Sequence, residues 1–327
     1  MRPTRLAALA ALLITTGVLA CAVVPAGAGA MMDISDEAGV AIGIADQKPN
    51  MFVDPRFVEL GIRYARLAVG WDVLMNRRSA AELQTWLAHA QATGVEPLIS
   101  FMHSRGANRR ATPSPARLQY EFRRLRQLYP WVTTYATWNE ANHCGEPLCH
   151  RPKTAAAYYR VLRRECPTCT ILAPEMLDIP GMGRWVREFV RHLGFTPRLW
   201  GLHNYVEANR FRTTRLRELV RATRRAEIWL TEVGGLVRRD NGSTTDIPEG
   251  ARHAGDVTRF IFDDVVPRNP EITRVYIYHW NSSSRRDTWD SALIAPGGHE
   301  RSALYVLSRV LRYGPRPLGS FRTARAR

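Results

Sequence analysis

The amino-acid sequence predicts an α/β protein built as a single (β/α)8 TIM barrel. Short apolar runs alternate along the chain with stretches in which apolar residues recur at spacings of three and four. This alternation is typical of parallel strands joined by crossover helices. Eight apolar runs occur in 327 residues, a length that accommodates a barrel of about 250 residues.

The predicted strands are residues 40–45, 64–69, 97–101, 135–138, 170–173, 199–203, 228–231 and 275–279. Helical stripes lie between and after them, such as Leu83, Trp86, Leu87 and Ala90, or Leu118, Phe122, Leu125 and Leu128. The longer loops that follow strands are 102–113, 141–152, 233–247 and 281–300. We expect them at the active-site rim, since the active sites of such barrels lie at the carboxyl ends of the strands. A doubly wound open sheet is the alternative, but no Gly-rich phosphate loop follows an early strand.

The first 30 residues have the pattern of a secretory signal peptide. Arg2 and Arg5 precede an apolar run, and small residues near Ala28 and Ala30 suit cleavage. We therefore expect a secreted protein with a catalytic barrel over residues 31–314 and a basic, flexible tail over residues 315–327. Lipid attachment at Cys21 is the alternative, although its flanking residues match a lipoprotein site poorly. No later segment is apolar and long enough to span a bilayer.

The chain is strongly basic, with 46 Lys and Arg against 30 Asp and Glu and a formal net charge of +16. This charge favours an acidic partner, such as a uronic-acid glycan, a cell-wall polymer or an anionic membrane. A solvated basic surface is the alternative. Nucleic acid is disfavoured, because no recognisable binding module is present. We expect a monomer that needs no metal or organic cofactor.

Four cysteines follow the signal segment, namely Cys144, Cys149, Cys166 and Cys169. Exported proteins use such cysteines in disulfides, for which three pairings exist, and a zinc site is the alternative. A helical pattern over residues 153–165 separates the two pairs by nearly 20 Å, at about 1.5 Å per residue. We therefore expect Cys144 to pair with Cys149 and Cys166 with Cys169.

Two glutamates stand directly after apolar, β-prone runs: Glu140 in TWNEAN and Glu232 in WLTEVGG. They end the fourth and seventh predicted strands, which face each other across an eight-stranded barrel. Two carboxylates on one sugar–oxygen bond give retention at a separation of about 5–5.5 Å and inversion at about 6.5 Å or more. Asn139 is placed to bind a sugar hydroxyl. The alternative for either glutamate is an ion pair with a basic neighbour.

These motifs resemble clan A glycoside hydrolases, in which an Asn-Glu pair ends the fourth strand and a nucleophilic glutamate ends the seventh. WNEAN is similar to the clan's W-N-E-P form, with Ala141 where proline is common, and LTEVGG resembles its nucleophile segment. The resemblance covers roughly residues 35–312. It implies that Glu140 is the acid/base, Glu232 the nucleophile and Asn139 the contact to the 2-hydroxyl.

Further residues resemble the clan's site. Arg66 resembles the arginine that keeps the nucleophile ionised, and His203 with Tyr205 resembles an H-x-Y pattern whose tyrosine binds the nucleophile. Trp280 resembles the tryptophan on which the sugar stacks. From position alone, His103 is either a sugar ligand or a loop residue. Residues that could also reach the cleft are Glu175, Trp71 and Trp289.

The resulting hypothesis is an exported retaining β-glycoside hydrolase that acts by double displacement on a poly- or oligosaccharide. We expect a neighbouring carboxylate to raise the pKa of Glu140 so that it is protonated. The alternatives are a non-catalytic glycan-binding barrel at the cell surface and a transglycosylase that uses the same residues. The subsite residues lie in the loops, so the sequence does not identify the sugar.

Overall fold

The computed structural model describes residues 39–106, 108–240, 242 and 246–316. The predicted signal segment 1–30 with Cys21, and residues 317–327 of the predicted tail, lie outside the described residues.

The described strands are β1 (Ala41–Ala45), β2 (Tyr64–Gly70), β3 (Glu96–Met102), β4 (Thr134–Ala136), β5 (Thr170–Leu172), β6 (Met176–Leu177), β7 (Leu199–His203), β8 (Glu227–Val233), β9 (Arg238–Arg239), β10 (Ile272–Tyr278) and β11 (Trp289–Asp290). Nine of them form one sheet in the order β5-β4-β3-β2-β1-β10-β8-β7-β6. The paired strands in this sheet are parallel, with β1 joining β2 to β10.

The sheet closes between its two edge strands, β5 and β6, which are consecutive in the chain. Only residues 173–175 separate β5, which pairs with β4, from β6, which pairs with β7. Across this gap the Ala173 N–H donates to the carbonyl of Leu199 at 3.0 Å, and the Glu175 N–H donates to the carbonyl of Trp138 at 2.8 Å. β5 and β6 are therefore two parts of the fifth strand of an eight-stranded barrel, so the barrel prediction is confirmed and the doubly wound alternative is wrong.

The described helices are α1 (Pro55–Glu59), α2 (Arg77–Ala92), α3 (Pro115–Leu128), α4 (Pro152–Glu165), α5 (Met182–Leu193), α6 (Tyr205–Asn209), α7 (Thr214–Ala222), α8 (Ala251–Phe260), α9 (Val266–Arg268) and α10 (Ser302–Tyr313). A π-helical turn, Ile261–Val265, joins α8 to α9. Local sequence sets several starts: Asn76 accepts from the Ser79 N–H before α2, and Ser114 accepts from the Arg117 N–H before α3. None of the helices in the described ranges is long and apolar enough to cross a membrane.

Two apolar regions hold the barrel together. The larger lies between the strands and the helices, and it includes the α2 stripe of Leu83, Trp86, Leu87 and Ala90, as predicted. Of the α3 stripe, Leu128 is 59% exposed because the helix ends at that residue. The smaller region comprises one residue from each of seven sheet strands: Ala45, Leu98, Ala136, Leu172, Leu199, Trp229 and Tyr276. A side-chain core thus fills the barrel.

Both expected disulfides are present, Cys144–Cys149 and Cys166–Cys169. The first lies in the loop between β4 and α4, and the second joins the end of α4 to β5. His150 lies with Cys144 and Cys149 within 4.8 Å, but the disulfide uses both thiol groups that a metal would need.

Candidate active site

Glu140 and Glu232 line the same pocket at the carboxyl ends of the strands. Glu232 is near the end of β8, and Glu140 lies four residues after β4. The pocket has a volume of about 510 Å³, and its other lining residues are His143, Leu177, Ile179, Tyr205, Val206, Arg239, Ile247, Tyr278 and Trp289. The Glu140 and Glu232 side chains are 23% and 13% exposed, so both carboxylates can be reached from the pocket.

The carboxylates of Glu140 and Glu232 both approach the same nitrogen of His203. Nδ1 of His203 lies 3.1 Å from Oε1 of Glu140 and 3.9 Å from Oε2 of Glu232. These two oxygens are therefore at most about 7 Å apart, a limit that includes the separation typical of retaining glycosidases and the lower end of the inverting range. His203 itself is 0% exposed, so it lies beneath the pocket and bridges the two glutamates from behind.

Arg66 is the second buried cation beneath the pocket. Its Nε and Nη2 donate to the two carboxylate oxygens of Glu175 at 2.7 and 2.6 Å, and its Nη1 donates to Glu232. Nη2 also donates to Oδ1 of Asn139 at 2.8 Å. This fork fixes the orientation of Glu232 and Asn139 together. Nδ2 of Asn139 has no partner among the described residues and is the donor that could reach a sugar hydroxyl.

Arg66, His203, Glu140, Glu175 and Glu232 form a charge cluster of two bases and three carboxylates. Burial raises the pKa of Glu175, but the charge of Arg66 outweighs burial and holds that pKa well below its ordinary value. Burial lowers the pKa of His203, but the charge of Glu232 and hydrogen bonds to the other glutamates raise it to about 10. At neutral pH His203 is therefore an imidazolium, and Glu175 is ionised.

The pKa of Glu140 moves in the direction opposite to the one expected from the sequence. Burial raises it, but the hydrogen bond and charge of His203 outweigh burial and lower the pKa below its ordinary value. His143 adds to this effect, with Nδ1 3.6 Å from Oε2 of Glu140. The expectation that a neighbouring carboxylate keeps Glu140 protonated is wrong for this structure, because the nearest charged partner is a cation.

Glu140 also has an unusual backbone conformation, with a φ of 43°. Residues other than glycine seldom adopt this left-handed region, and doing so costs of the order of 1 kcal/mol or more. Two neighbouring backbone bonds hold the position: the Glu140 carbonyl accepts from the His143 N–H at 2.8 Å, and the Ala141 N–H donates to the Glu175 carbonyl at 3.0 Å. The backbone thus turns sharply at this carboxylate.

Tyr205 lies at the pocket wall, as the sequence predicted. Its hydroxyl is 3.5 Å from Oε2 of Glu232, and burial followed by the charge of Glu232 raises its pKa well above 10. The hydroxyl is therefore a neutral donor towards Glu232. The ring packs edge-on against Trp289, with centroids 5.1 Å apart, so Trp289 reaches the pocket while Tyr205 supports it.

Trp280 does not lie where the resemblance implied. It is 1% exposed, its ring packs against Phe57 with centroids 5.4 Å apart, and its indole N–H donates to Asp54 at 3.1 Å. Its backbone N–H donates to Asp46 at 2.9 Å. These contacts direct Trp280 towards the loop after β1. Tyr278, two residues earlier, is the aromatic residue of this strand end that lines the pocket.

His103 and Glu175 are also placed away from the pocket surface. His103 is 6% exposed, and its Nδ1 lies 2.5 Å from Oε1 of Glu146, so it supports the loop after β4 and not a sugar. Glu175 is 0% exposed and is held by Arg66 and Ser100. The suggestion that Glu175 touches substrate is therefore wrong, because the carboxylate lies beneath the pocket as the partner of Arg66.

Sequence reasoning missed several pocket residues, notably His143, Tyr278 and Arg239. His143 carried a usable signal, since it lies three residues after Glu140 in the same loop. Arg239 reaches the pocket through β9, which pairs antiparallel with β11 and links the loops after β8 and β10. That pairing places Arg239 opposite Trp289, 50 positions later in the sequence. No local sequence pattern predicts such a contact.

No protein-family model and no curated protein matches the chain, but solved structures do. A family 39 glycoside hydrolase from the gut symbiont Bacteroides cellulosilyticus WH2 aligns with 84% of this chain and 64% of its own, at 13% identity and a TM-score of 0.56. A glucosidase from Croceicoccus marinus aligns with 83% of this chain and 66% of its own, at 13% identity and a TM-score of 0.61. This chain thus spans just under two thirds of the length of both proteins.

An endo-1,4-beta-xylanase from Penicillium canescens aligns with 86% of this chain and 97% of its own, at 11% identity and a TM-score of 0.62. At 11–13% identity these likenesses establish the barrel fold. The reaction has to be argued from the site itself, because one barrel fold supports many reactions.

Proposed function

We propose that the protein is a clan A glycoside hydrolase that cleaves β-glycosidic bonds with retention. The observation that carries the proposal is the position of Glu140 and Glu232, which line one pocket and share the Nδ1 of His203. Arg66 donates a hydrogen bond to Glu232 and so fixes the orientation of the proposed nucleophile. The shared fold with three glycoside hydrolases supports the same conclusion.

In the proposed first step, an oxygen of Glu232 attacks the anomeric carbon. The bond to the leaving oxygen breaks, and Glu140 donates a proton to that oxygen. In the second step, water gives a proton to Glu140 and attacks the anomeric carbon, which releases Glu232. The sugar keeps its anomeric configuration because two inversions occur.

The charge cluster is suited to both steps. With Glu140 protonated, the cations Arg66 and His203 balance the anions Glu175 and Glu232. In the covalent intermediate Glu232 is a neutral ester and Glu140 has become the anion, so the net charge of the cluster is again zero. The ligand-free protein favours ionised Glu140. We propose that bound substrate excludes water and raises the Glu140 pKa, so that the acid is formed with the complex.

The test uses Glu232→Gln and Glu140→Gln, which keep the side-chain shapes while removing the charge. Wild type and variants are assayed on a panel of aryl β-glycosides and β-linked polysaccharides, and the first-formed anomer is read by NMR. We expect the β-anomer from wild type and a loss of at least about 10³-fold in kcat for Glu232→Gln, because the nucleophile is removed. Absence of wild-type activity on every substrate would refute hydrolysis and favour a glycan-binding barrel, whereas equal measurable activity of wild type and Glu232→Gln would refute the assignment of Glu232 as nucleophile.

The product distribution decides the remaining alternatives. A first-formed α-anomer from a β-glycoside would contradict retention and indicate an inverting use of the same carboxylates. Addition of a second sugar as acceptor tests transglycosylation: a hydrolase releases mainly free sugar, whereas a transglycosylase forms a new glycoside in preference to the product of water.

We also propose that the protein is exported as a monomeric barrel after removal of residues 1–30. The disulfides Cys144–Cys149 and Cys166–Cys169 support an oxidising destination, since such bonds are rare in a reducing cytosol. Fractionation of expressing cells, intact mass of the secreted chain and its size in solution test the proposal. A full-length chain in the cytosol with reduced cysteines would contradict it, and a lipid mass on Cys21 would indicate anchoring instead.

A further inference from the structure

A second pocket lies along the loop after β4, which also contributes to the proposed catalytic pocket, and three of its nine lining residues are arginines. It has a volume of about 660 Å³ and lies between the loops that follow β3 and β4. Its lining residues are Arg109, Arg110, Cys144, Gly145, Glu146, Pro147, Cys149, His150 and Arg151. We call it the arginine pocket.

The arginines of this pocket have no carboxylate partner among the described residues. Glu146 is its one acidic lining residue. It is 5% exposed, and its carboxylate is hydrogen-bonded to residues beneath the pocket. One Glu146 oxygen accepts from the backbone N–H of His103 at 3.1 Å and from the indole N–H of Trp138 at 3.0 Å. The other lies 2.5 Å from the His103 ring. The three arginines outnumber the one carboxylate, so the pocket has a net positive charge.

The arginine pocket is close to the proposed site of cleavage. The loop after β4 passes from Glu140 and His143 in the catalytic pocket directly to Cys144 in the arginine pocket. Successive turns fold this segment, since the His143 N–H donates to the Glu140 carbonyl and the Glu146 N–H to the His143 carbonyl. Four residues span at most about 14 Å, so a short oligosaccharide could occupy both pockets.

Covalent and polar contacts hold the arginine pocket in shape. The Cys144–Cys149 bond closes the loop after β4. Nη1 of Arg151 donates to the Thr112 hydroxyl at 2.8 Å, and the Tyr158 hydroxyl donates to the Pro113 carbonyl at 2.5 Å. These contacts tie the loop after β3 to α4. They hold Arg151 and the backbone that follows Arg110 in place.

We propose that the arginine pocket is a subsite for a negatively charged sugar unit of the glycan whose bond lies between Glu140 and Glu232. The inference rests on the proposed function and adds the class of substrate. Guanidinium groups bind carboxylates and sulfates through paired, charge-assisted hydrogen bonds. A neutral sugar would leave the repulsion among Arg109, Arg110 and Arg151 uncompensated. The shared chemistry is an anionic group on the sugar, either a uronate carboxylate or a sulfate ester.

The competing explanation is a general attraction of anions by the whole basic protein. A second basic groove, between α5 and α7, provides a matched control because it lies outside the two pockets. Its lining includes Arg187, Arg191 and Arg221. Replacing these three arginines by glutamine removes the same charge as replacing the three of the arginine pocket. A local subsite and a long-range field therefore predict different results for the two triple variants.

The experiment measures binding, so it does not depend on turnover. Glu232→Gln protein is titrated by calorimetry with β-linked gluco-, xylo-, galacto- and manno-oligosaccharides, each in a neutral, a uronate-bearing and a sulfated form. For at least one of these four sugar types we expect the charged oligosaccharide to bind at least about tenfold more tightly than the neutral one. Arg109→Gln/Arg110→Gln/Arg151→Gln should abolish this difference, whereas Arg187→Gln/Arg191→Gln/Arg221→Gln should keep it.

The outcomes separate this inference from the proposed function. Preference for uronate or for sulfate identifies the source of the negative charge. Equal binding of charged and neutral forms for every backbone, or equal losses in both triple variants, would overturn the subsite. Lack of turnover by the wild-type enzyme, with charge-selective binding retained, would instead contradict hydrolysis and leave the subsite standing.

Discussion

Replacing Arg66 by methionine should destabilise the barrel strongly, because the buried carboxylate of Glu175 loses its closest cation. Glu175 is 0% exposed and accepts two hydrogen bonds from Arg66, at 2.7 and 2.6 Å. Removal of one partner from a buried ion pair costs about 3–5 kcal/mol. Because a whole domain is stable by only about 5–15 kcal/mol, the loss should be evident in urea unfolding followed by circular dichroism.

A double-mutant cycle tests whether the cost comes from the unpaired Glu175 carboxylate. Arg66→Met combined with Glu175→Gln should be less destabilised than the sum of the single variants by at least about 1 kcal/mol, since no charge at that contact then lacks a partner. Arg187→Met, which removes an exposed arginine on α5, should change stability by less than about 0.5 kcal/mol. A cost below about 1 kcal/mol for Arg66→Met, or strictly additive effects in the cycle, would refute the reasoning.

Three further predictions concern pH, packing and the loop disulfide. The pKa of His203 is about 10 in the folded protein and about 6.5 in the unfolded chain. Protonation of His203 therefore stabilises the fold fully below pH 6.5, and this stabilisation is lost as the pH rises towards 10. His203→Asn should show a smaller fall in unfolding free energy over that range, and parallel curves for both proteins would contradict this. Gly235→Ala should lower stability by about 1–3 kcal/mol, because a Cβ would lie 2.2 Å from the Cα of Ala254; an unchanged melting temperature would show that the contact can relax. Cys144→Ser/Cys149→Ser should cost about 2 kcal/mol and weaken binding of charged oligosaccharides, whereas Cys166→Ser/Cys169→Ser should leave that binding unchanged, as calorimetry would show.

The strand order could be predicted because each barrel strand is a compact apolar run between helical patterns. The break in the fifth strand, between β5 and β6, was not predicted, although Pro174 offered a signal. Proline has no N–H to donate and interrupts a sheet ladder. The bounds of β4 were also shifted, to Thr134–Ala136 from the predicted 135–138, since the chain leaves the ladder before it reaches Glu140.

The site was predictable as a set of residue types and less so as a set of contacts. Arg66 and Glu232 were associated correctly, because the clan resemblance places an arginine beside the glutamate that ends the seventh strand. The position of Trp280 depends on Asp46 and Asp54, which accept its backbone and indole N–H groups from the loop after β1. These partners are more than 200 residues away in sequence, so no local pattern distinguishes Trp280 from Tyr278 as the pocket residue.

The left-handed backbone at Glu140 bears on how distant relatives should be compared. With a φ of 43°, the fold on its own favours glycine or asparagine at this position, because both adopt that conformation at little cost. A lineage that ceased to use the carboxylate would gain stability by drifting to either residue. In an alignment of homologues, the residue in this one column should therefore distinguish chains that keep the proposed reaction from chains that keep only the barrel.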